Sequence, residues 1–281
     1  MPTGISIDWP AGASLMHWSG VITLTTDFGH KGPFAAVMRG VILTRNPDAQ
    51  VIDLAHDIPP QWPPEAGFWI SRAYPYFPRG TIHMAIVDPG VGTEREILIV
   101  EHDGHVFMAP DNGLLAPLLD HVENPKIWQL DIDRLTSLNL AKPSDTFHGR
   151  DIFAPVAAEL AAGRLSLTAV GKPVNEWTPG WLDDPVVSAT KISGTIITID
   201  AFGNLISNID KSLLANYQEP IAHIAGHQIP MLSTYGRAKP GELLALVNSF
   251  GVIEIARSEG SAAENLGSDR GAPLVITDGL K

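Results

Sequence analysis

Apolar and polar positions fall into two textures along the chain. Up to about residue 170, short β-branched runs alternate with stretches of helical spacing. Residues 21–25 form a strand-like run that ends at Asp27-Phe28-Gly29. Residues 34–45 place Phe34, Val37, Met38, Val41 and Ile42 on one face, which predicts a helix. Residues 51–54 read as a second strand, 65–76 as a second helix broken near Pro75, and 81–87 as a third strand stopped by Asp88-Pro89-Gly90. Residues 97–101 and 105–108 flank Asp103-Gly104, a strong hairpin signal. Residues 151–162 are Ala-rich and predict a helix. Strands alternating with helices predict an α/β unit whose sheet is at least partly parallel, with helices on its faces.

The pattern then changes. Residues 172–185 carry three Pro and two Trp, which suits a docked linker. From Lys191 onward the apolar runs are short and β-rich, at 194–199, 221–224, 243–247, 252–255 and 273–277, with turn residues between them. The expected organisation is an N-terminal extension (1–19), a Rossmann-like α/β sandwich domain (20–171), a linker (172–190) and a smaller all-β barrel domain (191–281).

Composition removes several chemistries. The chain has 281 residues and no cysteine, so thiolate catalysis, disulfides and Cys-ligated metals are excluded. It has 31 Asp+Glu against 19 Lys+Arg, a formal net charge of −12, and no basic footprint for nucleic acid. The N-terminal residues lack a basic region followed by an apolar run, and no window resembles a membrane span, so a soluble cytoplasmic protein is expected.

Four clusters carry candidate chemistry. Asp27 stands at the end of the first predicted strand, where a carboxylate suits either a vicinal diol or a helix cap. No G-x-G-x-x-G follows that strand, which disfavours a dinucleotide site. Asp88 stands at the end of the third strand, before a tight Pro-Gly turn, and Arg95 lies just beyond it. Folded back, Arg95 would make a charge-assisted pair with Asp88, whether for function or as a surface ion pair. His148 precedes the Ala-rich helix, where the dipole favours a neutral imidazole able to take a proton, or where it serves only as a cap. Asp200-Ala201-Phe202-Gly203-Asn204 reads either as a stacking and amide-bonding site for a heteroaromatic base or as a hairpin turn with a core Phe. His56-Asp57 and His102/His105 are residue types that can ligate metals, but no metal-ligand spacing such as H-E-x-x-H occurs, and no metal is expected.

In chain order the motifs are Thr-Thr-Asp-Phe-Gly (25–29), Asp-Pro-Gly-Val-Gly-Thr-x-Arg (88–95), Ala-Pro-Asp-Asn-Gly (109–113), Thr-Phe-His-Gly-Arg-Asp-Ile-Phe-Ala-Pro (146–155), Asp-x-Phe-Gly-Asn-Leu-Ile-Ser-Asn (200–208) and Asn-Ser-x-Gly (248–251). Together they resemble the S-adenosyl-L-methionine (SAM) hydroxide adenosyltransferases, or SAM hydrolases, the water-using relatives of the SAM-dependent fluorinase and chlorinase. The resemblance spans about residues 20–277. It implies cleavage of SAM by water to adenosine and L-methionine, with no cofactor or metal, in a homotrimer with sites at its subunit interfaces. It also implies that Asp88, Arg95 and His148 position and activate the water. Asp27 would hold the ribose diol and Trp62 would pack on the ribose. Phe202, Asn204, Tyr235 and the backbone at Arg257, Ser258 and Glu259 would meet adenine. Asp200 and Ser249 would hold the methionine end.

The chain departs from the family pattern at Gly32, where relatives often carry Asp; the amino-acid end of SAM is then held differently. Halogenases have an aromatic in place of Asp88 and Ser-Arg in place of Gly149-Arg150, which argues against a halide nucleophile. The alternatives are a SAM halogenase and a SAM- or adenosine-binding module with negligible turnover.

Overall fold

In this computed structural model, residues 17–120, 122–135 and 142–279 are described. Residues 1–16, most of the expected extension, lie outside them. Two units divide after Trp181.

The first unit is built on strands β1 (Val21–Thr26), β2 (Gln50–Ala55), β3 (Ile82–Ile86), β4 (Ile97–His102), β5 (His105–Pro110), β6 (Lys126–Leu130) and β7 (Gly171–Val174), ordered β2-β1-β3-β5-β4-β6-β7. The first four in that order run parallel, and the remaining pairings are antiparallel. β1 and β3 are buried on both faces, which is why they read as unbroken apolar and β-branched runs. Alternate side chains feed two cores. Ile22, Leu24 and Met84 pack with Met38 and Ile42 of the helix Phe34–Arg45 and with the helix Ala154–Ala161. Ala85, Val87 and Phe107 pack with Ala66 and Ile70 of the helix Pro63–Ala73. The result is the expected α/β sandwich. Asp103 (φ 45°) and Gly104 (φ 75°) make the β4–β5 turn left-handed at both positions, the requirement behind the Asp-Gly signal.

The segment expected as linker begins inside this sheet. β7 is an edge strand, the place where Pro173 is tolerated without a lost ladder bond. Beyond it, Thr178 N donates to Asp111 and Trp181 Nε1 to the Asn112 carbonyl at 2.7 Å, so the chain is docked along the first unit as far as Trp181.

The second unit contains β8 (Val186–Val187), β9 (Lys191–Ile199), β10 (Leu205–Asp210), β11 (Pro220–Ile224), β12 (His227–Pro230), β13 (Leu243–Val247), β14 (Val252–Arg257) and β15 (Pro273–Asp278). The main path is β12-β11-β15-β9-β10-β14-β13, antiparallel throughout, with β8 beside β9. A bridge from Met231 to Ala245 brings the two end strands together, so the sheet curls into a nearly closed barrel around Ile192, Ile196, Leu205, Ile253 and Ile276. Among the described residues no helix is long and apolar enough to cross a membrane.

Candidate active site

Parallel register places Thr26 of β1 opposite Ile86 of β3, so Asp27 and Asp88 leave the same edge of the sheet. Ligand crevices of α/β sheets form at this edge, beyond the carboxyl ends of the strands.

After Asp88 the chain turns tightly. Val91 N donates to the Asp88 carbonyl, and Thr93 donates through both its N and its Oγ1 to the Gly90 carbonyl. Gly92 has φ 79°, and a Cβ there would stand 2.1 Å from the Asp145 carbonyl oxygen, so only glycine fits. The turn brings Arg95 back over Asp88. Nε donates to both carboxylate oxygens at 3.0 Å, and Nη2 donates to Oδ2 at 2.5 Å. The two side chains are only 10% and 6% exposed, so this is not an idle surface pair. Nη2 also lies 2.8 Å from His148 Nδ1. A guanidinium has no acceptor, so Nδ1 accepts and the imidazole proton sits on Nε2. Burial first, and then the Arg95 charge, pushes the His148 pKa below its ordinary value and keeps the ring neutral.

His148 is set by its neighbours in sequence. The Ala-rich segment begins with a π-helical turn, Gly149–Phe153, before the α-helix Ala154–Ala161; such turns often accompany functional sites. Arg150 and Asp151 serve the loop. Asp151 accepts from Arg150 Nε (2.6 Å), Ser144 N (2.9 Å) and Ser144 Oγ (2.6 Å), and the Arg150 bond foremost pulls its pKa down to about 2. Asn112, from the Ala-Pro-Asp-Asn-Gly motif, donates to the Val87 carbonyl at 2.8 Å and so steadies the residue before Asp88.

Asp27 accepts from Gln61 N at 3.0 Å, and Gln61 holds a left-handed backbone (φ 61°) to reach it. Trp62 follows, its ring edge-on to Trp181 at 6.0 Å and its Nε1 buried without a partner. Phe28, Phe34 and Phe147 form a triangle of rings, 5.5 to 5.9 Å between centroids, linking the residue after Asp27 to the residue before His148. Phe34 also fills the space above Gly32, where a Cβ would meet its ring at 2.8 Å. Gly32→Asp must therefore displace a half-exposed ring held by one tilted and one edge-on contact. It is expected to cost about 1 kcal/mol or less in urea unfolding, because the ring is half exposed and can swing aside. Most of that cost should vanish when Phe34→Ala is already present.

In the second unit, Asp200 organises the β9–β10 turn. Its Oδ1 accepts from Phe202 N and Asn204 N and its Oδ2 from Asn204 Nδ2, each at 2.9 Å. Gly203 (φ 81°) packs so closely that a Cβ would stand 2.2 Å from Ser261 Oγ. The Phe202 ring is 77% exposed and Tyr235 46%. Tyr235 Oη donates to Glu254 Oε1 at 2.6 Å, and Asn248 Nδ2, beside exposed Ser249, donates to Oε2 at 3.1 Å. Glu254 is buried. Desolvation foremost raises its pKa, and Asp200 adds to the shift. Arg257 Nε donates to the Gly241 carbonyl, while Ser258 and Glu259 continue past β14 as a turn. The sequence reading missed Glu254. A carboxylate in the otherwise apolar Val252–Arg257 run was its available signal.

His56 and Asp57 diverge. His56 is buried, whereas Asp57 faces solvent beside His30. Among the described residues, no three or more His, Asp or Glu stand together as a metal-binding group.

Two carboxylates thus leave one edge of the α/β sheet, and an arginine is clamped on the second of them. Residues 22–171 match the SAM hydroxide adenosyltransferase N-terminal domain and residues 194–275 the C-terminal domain. The chain belongs to the SAM hydroxide adenosyltransferase family. It is 36% identical to an (R)-S-adenosyl-L-methionine hydrolase of Thermus thermophilus, covering 89% of this chain and 96% of the relative. A fluorinase of an Actinoplanes species is 24% identical over 92% of this chain and 97% of its own length. The crystal structure of an uncharacterized conserved protein from Thermotoga maritima superposes with a TM-score of 0.82 at 32% identity, covering 91% of this chain and 99% of that one.

Proposed function

We propose that the protein hydrolyses SAM, in the (R) configuration at sulfur, to adenosine and L-methionine. The observation that carries this reading is the Arg95 side chain holding Asp88 and His148 together at the sheet edge. The greater similarity to hydrolases than to fluorinases supports it.

The reaction asks little of the leaving side. A water oxygen forms the C5′–O bond as the C5′–S bond breaks. The bonding pair departs on sulfur as a neutral thioether, so neither an acid, a metal nor a cofactor is needed there. The demand is an oriented water about 3–3.5 Å from C5′ in a dry site. Asp88 Oδ1 takes one guanidinium N–H and keeps a lone pair for that water, whereas Oδ2 takes two. The water proton passes to this carboxylate. His148, with Nδ1 occupied, donates through Nε2–H to the water oxygen. The sequence leaves the proton acceptor of the triad open; this tautomer suits the imidazole to an orienting donor.

Asp27 takes the ribose diol and Trp62 the ribose face. Phe202 and Tyr235 offer exposed rings to adenine, with the backbone at Arg257, Ser258 and Glu259 along its edge. Asn204 has given its amide N–H to Asp200, which leaves its carbonyl for the exocyclic amine. Asp200 and Ser249 hold the methionine end. A cytoplasmic homotrimer with substrate at its subunit interfaces is the working form that the family resemblance implies.

Incubation with (R)-SAM in ¹⁸O-water is expected to give adenosine carrying one ¹⁸O and an equal amount of methionine, by mass analysis. A halide-dependent halogenated nucleoside, or bound SAM with no product, would overturn the reading.

A further inference from the structure

The loop from His56 to Trp62 grips the strand end bearing Asp27 at three points. His56 Nδ1 lies 2.8 Å from Thr26 Oγ1, both buried. Gly29 N donates to the His56 carbonyl at 2.8 Å. Gln61 N donates to Asp27 Oδ2 at 3.0 Å. Thr26 Oγ1 in turn accepts from Phe28 N, so Asp27 is bracketed by groups that His56 organises.

Behind the imidazole stands a charged pair. The ring Nε2 lies 3.0 Å from Asp53 Oδ1, and Asp53 is paired with Arg39 of the helix Phe34–Arg45. Thr26 Oγ1 accepts from Phe28 N and gives its hydrogen to Nδ1, which leaves the ring proton on Nε2, close to the Asp53 carboxylate but not hydrogen-bonded to it. Burial, with help from His30 and Arg39, pushes the His56 pKa down and keeps the ring in this neutral state. Imidazole and hydroxyl thus tie the loop to the residue before Asp27, with the Arg39–Asp53 pair close behind the ring. The imidazole is 1% exposed, too deep to meet a ligand itself.

We propose that His56 is a positioning residue that sets the Asp27 carboxylate for the ribose of the substrate. The inference rests on the reading that Asp27 holds the ribose diol. A loosened strand end would move that carboxylate, and displacements on the order of 1 Å carry large penalties.

The test compares SAM with its 2′-deoxy analogue. His56→Ala and Thr26→Val are each expected to lower kcat/KM for SAM about tenfold, mainly through KM, and to shrink the preference for SAM over the analogue. His56→Asn, whose amide oxygen can stand where Nδ1 accepts, should restore both. A purely structural role would lower the melting temperature and leave the preference intact. Thr26→Val is nearly isosteric and carries the test if His56→Ala fails to fold. Asp27→Asn separates the two layers. If Asp27→Asn itself keeps the preference, the ribose role of Asp27 falls and the proposal falls with it. If Asp27→Asn loses the preference while His56→Ala and Thr26→Val keep it, the positioning role alone is overturned.

Discussion

Asp88→Asn is expected to lower turnover of SAM by about 10³-fold or more while SAM still binds within a few-fold of the wild type. The carboxylate has two tasks that an amide cannot share. It neutralises and aims Arg95 through three short contacts, and in the proposed reaction it offers Oδ1 to the water. An amide turned to accept from the guanidinium points its NH₂ either at Arg95 or at the water, and it cannot take the proton. The substrate has most of its proposed contacts elsewhere, so affinity falls less than rate. Asparagine is the better probe than alanine. Alanine leaves a guanidinium only 10% exposed without its counter-ion, and breaking a buried pair costs roughly 3–5 kcal/mol of stability. Single-turnover adenosine formation and calorimetric titration with SAM separate rate from affinity. A variant turning over within tenfold of the wild type would remove Asp88 from the reaction.

What the sequence could and could not show follows from the range of the interactions involved. β1 and β3 were legible because strands buried on both faces must be continuous apolar runs, and the β4–β5 hairpin because its two turn residues need left-handed backbone. β7 escaped notice because it has four residues and a proline, tolerable only at an edge that topology alone creates. β10 is illegible because Ser207 and Asn208 interrupt its short apolar run. The π-turn at Gly149–Phe153 has no periodicity of its own in so short a span. At the site, Asp88 and Arg95 are seven residues apart and joined by a Pro-Gly turn, so their pairing was a local inference. The bond between Arg95 and His148 spans 53 residues and the one between Thr26 and His56 spans 30, and no local pattern fixes either. Those two long-range contacts decide the His148 tautomer and the support of Asp27, which is why the sequence named the residues but left their division of labour open.

The buried histidines of the first unit predict a loss of stability in acid that begins well above the carboxylate range. His83 Nδ1 lies 2.8 Å from Thr23 Oγ1 and its Nε2 lies 3.2 Å from His105 Nδ1, with Tyr74 edge-on to both rings. His83 has no exposed surface, and one proton serves the contact between the two rings. Burial foremost, then His105, takes the His83 pKa down to about 3 from its ordinary 6.5. Burial lowers that of His105 as well. Between pH 3 and 6.5 the unfolded chain therefore binds more protons than the folded one, and stability rises with pH. The contribution is complete above pH 6.5 and is lost as pH falls towards 3, at up to about 1.4 kcal/mol per pH unit for His83, or roughly 5 kcal/mol in all. Urea unfolding between pH 7.5 and 5 reads the summed slope of the lowered histidines, His83 with His56, His105 and His148, against the opposing raised Glu254, while depressed carboxylates such as Asp151 titrate lower still. His83→Gln will cost stability at every pH by breaking the chain from Thr23 to His105, but it should reduce the slope in this window by the His83 share. An unchanged slope in that variant would show that the acid sensitivity arises elsewhere. Turnover at pH 7.5 and above should be insensitive to this equilibrium, which separates the stability role of His83 from the site chemistry of His148.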